Sequence, residues 1–267
     1  MKLRRIAAAA ATIVIACSGA AVAHAAGIDN DPNYQWSSDP LDKLMAQSAG
    51  DVLRRTTGNW FNSPAAPQEA LDAEASGHAL IGPGTPVYAG DSFCTIAAAG
   101  YDKQGNPIAL TAGHCGGVGT PVVSADATLS GEIGSISRVN NELDYAVVTL
   151  NTRALPTNSY NQITVNHLGG GVVAGEQVCK QGIGSGYSCG VVLALDKNST
   201  VAQICATHGD SGGPVLVDGR LVGLISGGLL GQGLSCVTPW QGPVHQPTVI
   251  TTMDAILADL PAGFTLA

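Results

Sequence analysis

Charge and aromatic rings are scarce in this chain of 267 residues. Only 12% of positions are charged and 4% are aromatic, with 12 Lys plus Arg against 20 Asp plus Glu. So few cations, on a formal charge of −8, leave no basic stripe to neutralise a phosphate backbone, which excludes a nucleic-acid partner. There is no Cys-x-x-Cys pair and no His pair at ligand spacing, so no metal centre is indicated, and no cofactor is called for. Long helical periodicity is rare. No apolar run outside the first residues is long enough to cross a bilayer, so no transmembrane helix is expected.

Turn formers are abundant instead. The 35 Gly and 14 Pro, between short apolar runs, favour an all-β chain of many short strands. The length supports a full core without a structural metal.

The start is a targeting segment. Lys2, Arg4 and Arg5 precede an apolar run from Ile6 to Ala16, and Ala23-His24-Ala25 is a small-residue cleavage signal. Residues 1–25 are read as a signal peptide, implying a secreted, extracellular protein. A competing reading takes Val14-Ile15-Ala16-Cys17 as a lipobox, with a lipid anchor at Cys17 holding the chain at the cell envelope. The apolar stretch continues past Cys17 to an ordinary cleavage site, which favours the signal peptide. Without those residues the formal charge moves from −8 to −11, nine basic against twenty acidic.

Cysteine usage agrees with export. Setting Cys17 aside leaves Cys94, Cys115, Cys179, Cys189, Cys205 and Cys236, an even set that reads as a disulfide framework. Spacing alone leaves about 15 connectivities open.

Residues 26–78 differ from the rest: two of three Trp (Trp36, Trp60), much of the acidity, no Cys. Leu41, Leu44, Met45, Val52 and Leu53 have helical spacing, Ser63 to Pro67 reads as a linker, and Gln68 to Ala75 as a second helix. This is a pro-segment or N-terminal extension, the alternative being a helical appendage packed permanently on the domain. From residue 79 the pattern becomes strands. Thr95–Tyr101 and Ile108–Thr111 flank a polar connection, Tyr145–Leu150 is a buried-strand run, and Asp218-Gly219 joins Pro214–Val217 to Arg220–Ile225. Met253, Ile256, Leu257 and Leu260 predict a closing helix.

Two strings carry chemistry: Thr111-Ala112-Gly113-His114-Cys115 and Gly209-Asp210-Ser211-Gly212-Gly213-Pro214. A serine hydroxyl needs a base to take its proton, and His titrates near neutrality. Ser211 lies among glycines, in a turn that would expose its hydroxyl and aim the amides of Gly209 and Ser211 at one oxyanion. The base needs a carboxylate to hold its tautomer. Asp126 lies in a polar loop and Asp196 abuts a turn, whereas Asp144 opens the apolar run from Tyr145; Asp144 is therefore assigned. Gly209 to Gly213 also fits the G-x-S-x-G elbow, but that fold needs the order Ser, acid, His and a helix after the Ser. The strand-like Pro214–Val217 excludes it.

On these strings and Ser226-Gly227-Gly228, residues 80–267 resemble the trypsin/chymotrypsin-like serine peptidases, more narrowly the secreted actinobacterial streptogrisins. The resemblance implies two Greek-key six-stranded β-barrels, about residues 79–165 and 166–267, with the active site between them and a C-terminal helix. It also implies disulfides Cys94–Cys115, Cys179–Cys189 and Cys205–Cys236, and a buried basic partner for Asp210, for which Lys180 is the candidate. It makes Ile225, Ser226, Gly227 and Gly228 the wall of the substrate pocket. Between Cys205 and Cys236 the only carboxylates are Asp210 and Asp218, so a trypsin-like pocket for Arg or Lys is not expected. Glutamyl-specific relatives carry a His where this chain has Ile225, which leaves an apolar preference. The reading is an exported, monomeric serine endopeptidase acting on protein or peptide; the alternative is a secreted binding protein or adhesin on a peptidase scaffold.

Overall fold

The computed structural model describes residues 66–230, 236 and 244–267. The signal peptide expected at 1–25, Cys17 and the helix expected from Leu41 lie outside the described residues. Helix α1 (Gln68–Ala75) follows Pro67, as the sequence predicts. It is short, and tertiary contacts hold it. Ala70 and Ala73 are buried, Glu74 accepts from the Leu129 amide at 2.7 Å, and Glu69 accepts from the Asn161 amide at 2.7 Å.

The first barrel follows. β1 (Ala79–Ile81) leads to β2 (Pro86–Ala89), β3 (Ser92–Thr95), β4 (Ala98–Tyr101), β5 (Pro107–Ala112), β6 (Pro121–Ser124), β7 (Glu132–Asn140), β8 (Tyr145–Leu150) and β9 (Ala154–Pro156). Strands β4-β5-β8-β7-β6-β2-β3 are successive neighbours in one sheet. β3 and β4 form one run of chain that pairs with β2 at its start and β5 at its end. At the junction the Ile96 amide bonds Thr85 O at 2.9 Å and the Ala97 amide bonds Leu110 O at 2.8 Å. The shared run curls the sheet onto itself as a six-stranded barrel. The polar connection between β4 and β5 is tied by Asp102, whose Oδ1 accepts from the Gln104 and Asn106 amides, each at 2.8 Å.

β10 (Ser159–Tyr160), β11 (Ile163–Thr164) and β12 (His167–Leu168) cross to the second barrel. It comprises β13 (Gln177–Gly182), β14 (Gly186–Leu195), β15 (Ser199–Ala202), β16 (Pro214–Val217), β17 (Arg220–Gly228) and β18 (Thr248–Thr252). The order β17-β16-β13-β14-β15-β18 closes when β18 pairs back on β17. Asp218 and Gly219 join β16 to β17 with φ of 48° and 76°, the double left-handed turn that suits the twist of a hairpin. Val178, Val192, Ile204, Val215, Ile225 and Ile250 fill this barrel, and a separate, larger cluster fills the first. The all-β double barrel expected from the sequence is the fold observed.

The C-terminus returns to the first barrel. Helix α2 (Met253–Asp259) starts at Thr252, whose hydroxyl accepts from the Ala255 amide, and buries Met253 and Ile256. β19 (Thr265–Leu266) then adds to β4. At the end of α2, Asp259 Oδ2 accepts from Tyr145 Oη at 2.6 Å, Asn140 Nδ2 at 2.8 Å and Arg138 Nη2 at 2.9 Å. The bond from Tyr145 leads in holding the Asp259 carboxyl down at about 2, while burial and Asp259 push the Tyr145 phenol up to about 12.

Both shifts favour the fold at neutral pH. The phenol's contribution is complete below its ordinary 10.0 and is lost as pH rises to about 12; the carboxylate's is complete above 3.8 and is lost as pH falls to about 2. Tyr145→Phe is therefore expected to lower Tm at pH 7 and to remove part of the wild type's decline between pH 10 and 12, read by thermal melts across pH.

Candidate active site

β5 ends at Ala112, and the next residues make the short 3-10 turn Gly113–Cys115 that presents His114. The turn is held from below: Cys115 is bonded to Cys94, and Thr111 Oγ1 donates to Thr95 O at 2.8 Å. Asp144 stands at the entry of β8 with φ of 48°, an unusual conformation for a residue with a side chain. Asn140 shapes that connection by accepting from the Glu142 and Leu143 amides at 2.9 and 3.0 Å. Thr251, on β18 of the other barrel, donates to Leu143 O at 2.7 Å. The second barrel therefore helps position a carboxylate of the first.

His114, Asp144 and Ser211 converge. His114 Nδ1 lies 2.9 and 3.0 Å from the two Asp144 oxygens, and Nε2 lies 2.9 Å from Ser211 Oγ. The Asp144 carboxylate also accepts from the His114 amide at 2.9 Å and from Ser226 Oγ at 2.5 Å. Burial pushes the Asp144 carboxyl up, but the hydrogen bond and charge of His114, with the Ser226 hydroxyl, outweigh burial and hold it below its usual value. An ionised Asp144 fixes Nδ1 as the protonated nitrogen of a neutral ring, which leaves Nε2 as an acceptor facing the serine.

Ser211 is 6% exposed, at the end of a turn built to be rigid. The amides of Asp210, Gly212 and Gly213 are donated to Thr207 O, Ile225 O and Asp210 O. Thr95 takes two carbonyls of the same turn: its amide bonds Ser211 O at 2.8 Å and its hydroxyl bonds Gly209 O at 2.7 Å. The amides of Gly209 and Ser211 donate to no other described residue. Gly212, with φ of 80°, has no space for a side chain, since a Cβ there would overlap Thr111, Thr95 and Ala112.

Asp210 is fully buried and fully occupied. Lys180 Nζ, equally buried on β13, lies 2.7 Å from Oδ2. The Gly184 and Ser185 amides reach Oδ1 at 2.9 Å each, the Thr207 amide reaches Oδ2 at 3.0 Å, and the Ser185 hydroxyl bonds both partners of the pair. Burial drives the Lys180 ammonium down from its usual value, opposed by the charge and hydrogen bond of Asp210.

The candidate pocket residues separate. Ile225 is 1% exposed, with its side chain in the second barrel's core. Ser226 turns to Asp144, and Gly227 faces open space. Cys179–Cys189 and Cys205–Cys236 are bonded, as the resemblance implies. Sequence reasoning missed Thr95, Ser185 and the Ser226–Asp144 bond. Asp126 lies in a turn, as expected of a loop residue, but it is buried at 8% exposure and accepts from Tyr160 Oη at 2.5 Å. Among the described residues no His, Cys, Asp and Glu group could hold a metal, and no helix is long and apolar enough to cross a membrane.

The chain is similar to known proteins. The Trypsin family model matches residues 93–239. The chain is 28% identical to Streptogrisin-C of Streptomyces griseus over 57% of its length, and 30% identical to Streptogrisin-D of the same organism over 74%. It spans only 39% and 55% of those two relatives. Among solved structures, the Nocardiopsis protease NAPase superposes with a TM-score of 0.56 at 27% identity, covering 67% of this chain and 96% of that one. With the family match spanning more than half of its residues, the chain belongs to the trypsin family of serine peptidases, on the side of the family that holds the streptogrisins.

Proposed function

We propose that this chain is an exported serine endopeptidase that hydrolyses peptide bonds through an acyl-enzyme, after apolar rather than basic residues. The observation that carries the reading is the unbroken relay from Asp144 through His114 to Ser211, ending beside two uncommitted amides. In the proposed reaction Ser211 Oγ attacks the scissile carbonyl as His114 Nε2 takes its proton. The carbonyl oxygen, now an anion, receives the Gly209 and Ser211 amides. His114 then protonates the leaving amine, and water repeats the sequence in reverse to release the acyl group. Asp144 stabilises the imidazolium in both halves. The charge balance closes within the protein.

The three disulfides support an oxidising, extracytoplasmic destination, and residues 1–25 are proposed as the signal that delivers the chain there. Residues 26–78 are proposed as a pro-segment or N-terminal extension. Helix α1, with two buried alanines and two carboxylate-to-amide bonds into the domain, is better suited to stay.

An organofluorophosphonate is expected to label wild type at Ser211, and Asp144→Ala to lower kcat by about 10^4-fold while KM changes little. Absence of labelling after removal of any pro-segment would favour the binding-protein alternative; undiminished turnover in Asp144→Ala would refute the triad. Lys180→Met leaves Asp210 charged and buried, which costs about 3–5 kcal/mol. That variant is expected to lose both Tm and labelling rate. Unchanged values of both would show that the pair does not organise the turn.

A further inference from the structure

The wall after Ser226 shows an asymmetry. Gly227 faces open space, whereas the side-chain face of Gly228 is covered: a Cβ built there would overlap all three heavy atoms of the Gln246 carboxamide. Gln246 is only 8% exposed and is held in place. Its Oε1 accepts from the Leu230 amide at 2.8 Å, its backbone carbonyl accepts from His245 Nδ1 at 2.8 Å, and His245 O accepts from Gln203 Nε2 at 2.9 Å. Two residues on, Thr248 Oγ1 donates to Ile204 O at 2.8 Å while Thr248 pairs with Gly228 across the sheet. Residues 245–248 are thus tied to β17 on one side and to residues 203–204 on the other. Residues 203–204 lead directly into the turn that carries Ser211. The Gln246 carboxamide lies against Gly228, beside the strand that leaves Ser226. Its Nε2 donates to no described residue, so the group contributes an unused neutral donor there.

We propose that Gln246 determines the primary specificity, by filling the pocket beside Gly228 so that it accepts small uncharged side chains such as Ala or Ser at the acyl side of the scissile bond and excludes Phe and Leu. This rests on the reading of Ser211 as the nucleophile, and it narrows the apolar class by size. A large side chain would have to displace a carboxamide anchored by the Leu230 amide, leaving that amide without its acceptor. A small one leaves every bond in place. Gln246 touches neither the His114 relay nor the Lys180 pair, so its replacement separates specificity from catalytic competence.

The test compares peptide anilides differing only in the residue before the cleaved bond, Ala against Phe, with fluorophosphonate labelling as the count of active sites. Wild type is expected to prefer Ala. Gln246→Ala is expected to raise kcat/KM for Phe by about ten-fold or more, the effect of opening a pocket by a few methylene volumes, with labelling unchanged. Gln246→Met, which refills the space without the amide, is expected to keep the preference for Ala. A wild type that labels normally yet cleaves the Phe substrate faster overturns the inference without any variant. So does a Gln246→Ala enzyme with normal labelling and an unchanged Phe-to-Ala ratio. Failure of wild type to label strikes instead at the serine peptidase reading itself.

Discussion

The site is organised around one buried charge. Asp210 precedes the serine, sees no solvent, and would be intolerable in an apolar interior without compensation. Lys180, Ser185 and three backbone amides supply it, and they come from three separate places: β13, the β13–β14 turn and residue 207. Each bond that stabilises the charge also fixes the backbone on either side of Ser211. The loop is rigid because its carboxylate can be satisfied in only one arrangement. Lys180, held to its neighbour by charge and hydrogen bond, needs no contribution from a free N-terminus to complete that arrangement.

A second constraint is that the site is divided between barrels. His114 and Asp144 belong to the first and Ser211 to the second, so their spacing depends on how the barrels dock. Polar bonds cross at the places that matter: Thr95 to the Ser211 and Gly209 carbonyls, Ser226 to Asp144, and Thr251 to Leu143. The C-terminal helix adds a further tie through Asp259 and Tyr145, the residue immediately after Asp144. Stability and site geometry are coupled through Tyr145, since loosening its hydroxyl disturbs the strand whose first residue follows the acid.

What was legible in the sequence follows the range of each interaction. The Asp218-Gly219 hairpin, the buried run from Tyr145 and the helix at Gln68–Ala75 are local patterns, and each appears where its residues predict. The two strings that carry His114 and Ser211 are also local, because a turn that exposes a hydroxyl or a ring needs contiguous small residues. Thr95 had no such signature, and Ser226 stood out only as part of the expected pocket wall. Their partners lie 114 and 82 positions away, which local patterns do not reveal. Burial misleads in the same way. Asp126 is more buried than a polar loop suggests, yet its partner is a tyrosine that spacing does not reveal.

Ile225 shows why the four residues that the resemblance sets in one wall do not share one face. A wall of four successive residues cannot all face one pocket in a strand, and the register shift between Ile225 and Gly227 redistributes them. Ile225 goes to the core, Ser226 to the acid, Gly227 to open space and Gly228 against Gln246. The bulge thereby lets one short strand segment support the barrel, hold the carboxylate and leave the backbone open at Gly227. Two of those positions are glycine because open backbone is needed at one and close approach at the other. In the proposed reading, the group that approaches Gly228 sets specificity, with no cost to the relay two residues earlier.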